Sequence, residues 1–253
     1  TIIISSEGIN GSISFLKKDL NKIKIKIKKI FKISKFDNEN SVLTKFVPFL
    51  KGRIKLKKEV VPIGKKLKHR IKKNHLSPNQ WNKFILSKDS FIIDTRKEFE
   101  FKIGTFKNSI NPKINNFRDF SKYFRKYKKN SKIGMFCTGG IRCEKASDYL
   151  KSKGYTNIFQ LKGGIINYLS KIDKKKSLWS GECFVFDNRV SVNHNLKSGK
   201  YSICAGCREP ISFKDKNSSK FEEGVSCPSC YDKSTENQKS RFRMRQSQIY
   251  KAK

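Results

Sequence analysis

The chain has 253 residues, enough for two or three small domains, and its 36% hydrophobic content with 20 Phe points to packed cores rather than disorder. Lys and Arg total 58 against 21 acidic residues, a formal charge of +37 that suits a polyanionic partner, although the joint abundance of Lys, Ile and Asn is also what a skewed genome composition produces. No apolar run approaches the roughly 18 residues needed to span a bilayer and no signal pattern is visible, so no membrane partner is expected. The seven cysteines, an odd number partly in CxxC pairs, fit a reducing cytoplasm better than a disulfide scaffold.

Residues 1–74 read as a small α+β unit. Two short strands are expected around Glu7-Gly8-Ile9-Asn10-Gly11, with Asn10-Gly11 as the turn dipeptide. From Lys17 to Lys35, Ile residues alternate with Lys as in a strand, but Leu16, Leu20, Ile23, Ile27, Ile30 and Phe31 also keep helical spacing over a length too great for an ordinary strand, so a helix is predicted. Ser41 to Val61 returns to a strand-like pattern, ahead of Pro62-Ile63-Gly64 and a Lys-rich linker.

Residues 77–175 change rhythm. Ser77-Pro78 opens a helix, with Ser77 as its N-cap. Short buried strands are predicted at Phe91 to Asp94, Lys132 to Phe136 and Ile158 to Leu161. A helix is predicted from about Glu144 to Lys153, ended by Gly154. Strands alternating with helices imply a parallel sheet covered on both faces. Residues 176–253 hold Cys183, two CxxC pairs and a polar, basic tail that reads as helical.

The chemistry gathers at Cys137-Thr138-Gly139-Gly140-Ile141-Arg142, where a strand ends and a glycine-containing loop runs into a helix. Backbone N–H groups and the positive end of the helix dipole would converge on the sulfur, and Arg142 would add a fixed charge, so the Cys137 thiolate is expected to be favoured. Cys143, at the helix start, reads either as a small buried residue or as a resolving thiol. His69, His75 and His194 show no metal spacing, and no glycine fingerprint for a flavin or nicotinamide is present. Cys204, Cys207, Cys227 and Cys230 form two CxxC pairs of the kind that hold a structural zinc with four thiolates. In the tail, Arg241, Arg243, Arg245, Lys251 and Lys253 interleave with Phe242 and Tyr250, a pattern shared by RNA-contacting segments and solvated helices.

Residues 91–168 resemble a rhodanese domain. Asp94-Thr95-Arg96 followed by Glu98 and by Gly104 to Asn111 is similar to that family's run, with Thr105 where His is usual and Ser109 where Ala is usual. Cys137 to Arg142 resembles the six-residue active loop, and Gly163-Gly164-Ile165 the closing motif. Phosphatase relatives use Cys-x5-Arg; the shorter loop here suits a sulfur atom better than a phosphate. Asp94 and Arg96 are read as ordering the loop rather than as catalytic.

Glu7 to Gly11, Cys137 to Ala146, Gly163 to Ile166, and Cys183 to Asp187 with Arg189 together resemble the bacterial tRNA uridine hydroxylase family. The resemblance implies a ferredoxin-like α+β domain, an α/β rhodanese domain with a parallel sheet and flanking helices, and a small Cys-rich segment. It also implies tRNA as the partner and a hydroxylation, with molecular oxygen as co-substrate, that forms 5-hydroxyuridine at the wobble position. Family members carry more chain before the Glu-Gly-Ile-Asn motif than the six residues present here, so the first domain is expected to be truncated. The alternative reading of the same loop is a rhodanese-type sulfurtransferase in which Cys137 carries a persulfide.

Overall fold

Residues 1–49, 51–64, 74–114 and 117–251 are described in the computed structural model of the chain; the expected Lys-rich linker, His69 and Lys253 lie outside them. Adjacent residues on the central strands face opposite ways. Ile92 packs with Trp81, Phe106, Phe136 and Tyr168, whereas its neighbour Ile93 packs with Phe120, Ile133, Met135 and Leu150. Near-continuous apolar strands of this kind require cover on both sides.

In the first unit, β1 (Ile2–Ser5) and β2 (Gly8–Gly11) form a hairpin, α1 (Leu20–Phe31) follows, and β3 (Ile54–Leu56) pairs parallel to β1. The turn falls at Ser6-Glu7 and not at the expected Asn10-Gly11, because Ser5 pairs with Gly8 while Gly11 pairs with Ile2 at the far end of the hairpin. The helix predicted over 17–35 is present. Among the described residues of the strand-like stretch 41–61, only Ile54–Leu56 is a strand, with Pro48 and Gly52 interrupting the segment before it reaches the edge of β1.

The central unit comprises β4 (Asn74–Leu76), α2 (Pro78–Ile85), β5 (Ser90–Asp94), α3 (Glu98–Ile103), β6 (Gly104–Phe106), β7 (Ser109–Ile110), α4 (Phe120–Tyr123), β8 (Lys132–Phe136), α5 (Ile141–Ser152), β9 (Ile158–Leu161) and α6 (Gly164–Lys171). Five strands form a parallel sheet in the order β4-β9-β8-β5-β7. This sheet takes in residues 74–76, ahead of the expected start at 77. Ser77 caps α2 as expected, with Gln80 completing a capping box. Helix α5 starts three residues before the expected Glu144, because its N-cap is Gly140 in the left-handed region at φ 95°.

The last unit holds β10 (Trp179–Gly181), which pairs with β6, then β11 (Cys183–Phe184) with β12 (Ser191–Val192), β13 (Ser202–Ile203) with β14 (Pro210–Ile211), α7 (Phe213–Lys216) and α8 (Glu236–Lys251). Among the described residues no helix is long and apolar enough to cross a membrane.

Polar contacts fasten the first unit to the others. Lys145 on α5 is 5% exposed and is paired with Glu7 of the hairpin turn and, at 3.2 Å, with Glu59. Glu7 also accepts from Val60 N at 3.0 Å, and Glu59 accepts from Ile63 N and Gly64 N at 3.0 Å each. Asn188 donates through its backbone N to Pro48 O at 2.9 Å and through Nδ2 to Val47 O at 3.0 Å. Removing one partner of a buried ion pair leaves an uncompensated charge. Lys145→Met is therefore expected to lower the unfolding free energy by about 3 kcal/mol in urea titration, and an unchanged midpoint would show that the pair contributes nothing.

Candidate active site

Cys137 lies directly after β8 with no solvent exposure. Its Sγ accepts from Gly140 N at 3.1 Å, and the amides of Arg142 and Cys143 also donate to it. Burial alone pushes the thiol up. The Cys143 thiol, the Arg142 charge and the two helix amides outweigh that effect and bring Cys137 down to about 6. Cys143 shifts the other way, because it is buried and donates to the Cys137 sulfur, while Thr95 Oγ1 lies 3.5 Å from its own sulfur. One thiol is thus the anion and the other its donor.

Arg142 reaches past the sulfur. Its guanidinium forks onto Glu100 at 2.8 and 2.9 Å and donates to Thr138 Oγ1 at 3.2 Å. Glu100 is only 1% exposed; burial raises its pKa, but Arg142 more than offsets this and holds it below the usual range. The carboxylate quoted in the sequence pattern, Glu98, is exposed and pairs with Lys102 instead. Two residues apart on one short helix, the two acids are indistinguishable by type, and only the rotation of α3 decides which one faces the loop.

The floor of the loop is built on glycine. Ile165 N and Ile166 N donate to the carbonyls of Cys137 and Thr138 at 3.0 and 3.1 Å. A Cβ on Gly164, itself at φ 67°, would stand 2.5 Å from Cys137 O and 2.6 Å from Thr138 O, so no larger residue fits there. Asp94 and Arg96 form a fully buried pair at 2.6 Å. Arg96 also donates to Gly104 O and lies 5.1 Å from the Trp179 ring centroid, so the pair orders residues 104–111 and β10 and not the Cys137 loop itself. The two departures from the rhodanese pattern compensate each other: Thr105 and Ser109 share a 2.7 Å hydrogen bond, and Thr105 Oγ1 donates to Asp94 Oδ2 at 3.2 Å.

Cys183, read from the sequence as structural, is fully buried, and its burial raises the thiol to about 12. The remaining cysteines converge, with the four Sγ atoms of Cys204, Cys207, Cys227 and Cys230 all within 4.8 Å of one another. Cys204–Cys230, Cys207–Cys227 and Cys227–Cys230 stand at 3.9, 3.7 and 3.8 Å. Zinc–sulfur bonds of about 2.3 Å in a tetrahedron give S–S edges of about 3.8 Å, so the donor set fits that ion. Helix α8 closes over this knuckle. Arg243 forks onto Glu222 at 2.6 and 2.7 Å, Arg245 donates to Ala205 O and Gly224 O at 3.2 and 2.7 Å, and the Arg245 guanidinium lies 4.9 Å from the Phe242 ring centroid. Of the basic-aromatic pattern of the tail, Arg243 and Arg245 thus hold α8 against its own chain, while Arg241, Tyr250 and Lys251 stay exposed.

The sequence reading missed Glu100, the Lys145 clamp and Asn38, whose Nδ2 donates to Gly139 O at 3.3 Å across more than a hundred residues of chain. No local pattern announces any of them. With its thiol near 6, Cys137 is the anion at pH 7 and the neutral thiol at pH 5. Its alkylation rate, followed by peptide mass spectrometry, should rise with pH through a midpoint near 6, and Cys143→Ala should move that midpoint upward; a midpoint in the ordinary thiol range would refute the cradle.

Residues 77–171 match the family described as rhodanese-like domain, and residues 1–60 the one described as UPF0176 acylphosphatase like domain. A rhodanese-related protein from Thermoplasma volcanium aligns at 23% identity over 39% of this chain and 92% of that one, with TM-score 0.34. A single-domain sulfurtransferase from Saccharomyces cerevisiae aligns at 18% identity over 40% and 92%, with TM-score 0.35. Among curated proteins, a tRNA uridine(34) hydroxylase of Pelagibacter ubique (strain HTCC1062) is 58% identical over 254 residues, which is 100% of this chain and 84% of the relative. Identity at that level over the whole length of the chain means that this chain belongs to the tRNA uridine(34) hydroxylase family.

Proposed function

We propose that this chain hydroxylates C5 of the wobble uridine of tRNA, with Cys137 as the nucleophile and molecular oxygen as co-substrate. The observation that carries the reading is a buried sulfur with its thiol near 6, inside a donor cradle, in a chain 58% identical to a tRNA uridine(34) hydroxylase. The thiolate adds to C6 of the uracil, and the electron pair of the 5,6 double bond moves toward O4, which makes C5 nucleophilic. C5 takes up dioxygen and, with a proton, becomes a hydroperoxide. A thiol reductant cleaves the O–O bond with two electrons, releasing water and leaving the hydroxyl on C5. Loss of the C5 proton then expels the Cys137 thiolate and restores the double bond. A low thiol pKa serves both ends of the cycle, since the sulfur must attack as an anion and leave as one.

The residues of the loop divide the work. Gly140, Arg142 and Cys143 hold the sulfur as an anion through their backbone amides, while Thr138 and Glu100 fix the Arg142 side chain. Gly139 and Ile141 carry the backbone between those donors. The four thiolates of the last unit hold a structural zinc, which supplies a core to a region with few buried apolar residues of its own.

Cys137→Ala should remove 5-hydroxyuridine from tRNA in cells that depend on this gene, as read by nucleoside mass spectrometry, and retained modification would take Cys137 out of the mechanism. Turnover of thiosulfate with no effect on tRNA would instead favour the sulfurtransferase reading. Metal analysis should find about one zinc per chain, lost in Cys204→Ser with Cys227→Ser together with protection of α8 from proteolysis.

A further inference from the structure

A stretch outside every motif roofs the Cys137 loop. Between α1 and β3 the chain crosses the active site. Asn38 holds Gly139 O, Glu39 pairs with Lys24, and Val47 and Pro48 are tied to Asn188. Against this stretch lies a cleft of about 320 Å³, whose opposite wall includes Lys162, Gly163, Asn167 and Lys171. That size is at the small end for a bound organic ligand. Asn38 joins the cleft to the loop, because it lines the one and lies beside Gly139 and Gly140 of the other. A Cβ on Gly140 would lie 3.0 Å from Asn38 Nδ2 and 3.8 Å from Gly164 N, and the Gly140 amide itself donates to Cys137 Sγ.

Building on the hydroxylase reading, we propose that this cleft receives the target uridine and that Asn38 reads the N3 edge of its base. Uracil presents an N3–H donor between two carbonyl acceptors. The bond from Nδ2 to Gly139 O fixes the Asn38 amide, leaving Oδ1 to accept from N3–H and the second Nδ2 proton to donate to a uracil carbonyl. Cytosine offers an N3 lone pair at the same place, which would face the Oδ1 lone pairs. A site built to hydrogen-bond one donor rejects the analogue that lacks it, because a polar group is left unpaired. The exposed Lys162 and Lys171 stand on the far wall, where the flanking phosphates of an RNA strand pass. Asp37 and Glu39 lie on the strap side, with Glu39 neutralised by Lys24. Cys137 is buried, and a side chain at Gly139 would meet open space, so Gly139 is the side from which the base approaches the sulfur.

The test uses the full chain carrying Cys137→Ser, so that binding is read without turnover. Fluorescence anisotropy compares an unmodified anticodon stem-loop RNA having uridine at the wobble position with the same RNA having cytidine there. The uridine form is expected to bind at least about tenfold tighter, in line with the discrimination of one paired donor. Adding Asn38→Ala, an exposed position, should bring the two RNAs to the same affinity. Lys162→Glu with Lys171→Glu should weaken both equally and flatten the salt dependence. A uridine preference that survives Asn38→Ala, or salt dependence unmoved by the lysine changes, would overturn the assignment. Nucleoside analysis of tRNA modified by the Cys137 enzyme judges the hydroxylation separately, so loss of this cleft as the uridine site would leave that reading standing.

Discussion

Arg142 and Glu100 determine what the Cys137 loop can be. A guanidinium placed opposite a thiolate would neutralise it directly, but here the charge is claimed by a buried carboxylate through two short bonds, with Thr138 held in the same contact. The sulfur therefore rests on backbone amides and on the Cys143 thiol, with the Arg142 side chain acting on it only through its field. Amide donors come with the backbone and need no side chain to be ordered, so the anion is stabilised by groups already fixed when β8 turns into α5. The ion pair fixes that turn from outside, by binding the first turn of α5 to α3.

The same economy governs the joints between the three units. The hairpin turn supplies Glu7 to Lys145, one turn into α5, so the Glu-Gly-Ile-Asn motif and the Cys137 run are two halves of one contact. Glu59 completes the clamp while capping the amides of Ile63 and Gly64. Asn188 follows Asp187 in a second Asp-x-Arg arrangement, where Asp187 and Arg189 form a fork at 2.6 and 3.0 Å much as Asp94 and Arg96 do, and from there it grips the strap at 47–48. The Lys145 joint is a charge taken out of water and paired, and the Asn188 joint a directional pair of surface hydrogen bonds, which makes the placement specific where apolar packing alone would tolerate sliding.

The last unit is stabilised differently. Its buried cluster consists chiefly of the four cysteines and Ile211, too little apolar area to order its residues unaided. Its four sulfurs stand at the edge length of a zinc tetrahedron, so the proposed ion would supply the missing core, and Arg243 and Arg245 hold α8 beside that cluster. Two of the tail's arginines are thereby engaged with their own chain, while Arg241 and Lys251 remain exposed.

By itself the sequence determined the elements with strong local signatures. The Ser77 cap, the buried strands at 90–94, 132–136 and 158–161, the glycine loop and the paired cysteines depend on neighbours within a few residues, through period-two alternation, capping geometry and thiolate spacing. What only the tertiary structure decided is who meets whom across the chain. It placed Glu100 rather than Glu98 against Arg142, put the hairpin turn at Ser6-Glu7, set Arg243 on Glu222 and Arg245 on the carbonyls of Ala205 and Gly224, and laid Asn38 over Gly139. In each case residues of one chemical type compete for one partner, and the winner is set by the rotation of a helix or the edge of a sheet, quantities fixed by packing at long sequence separation and invisible to any local pattern.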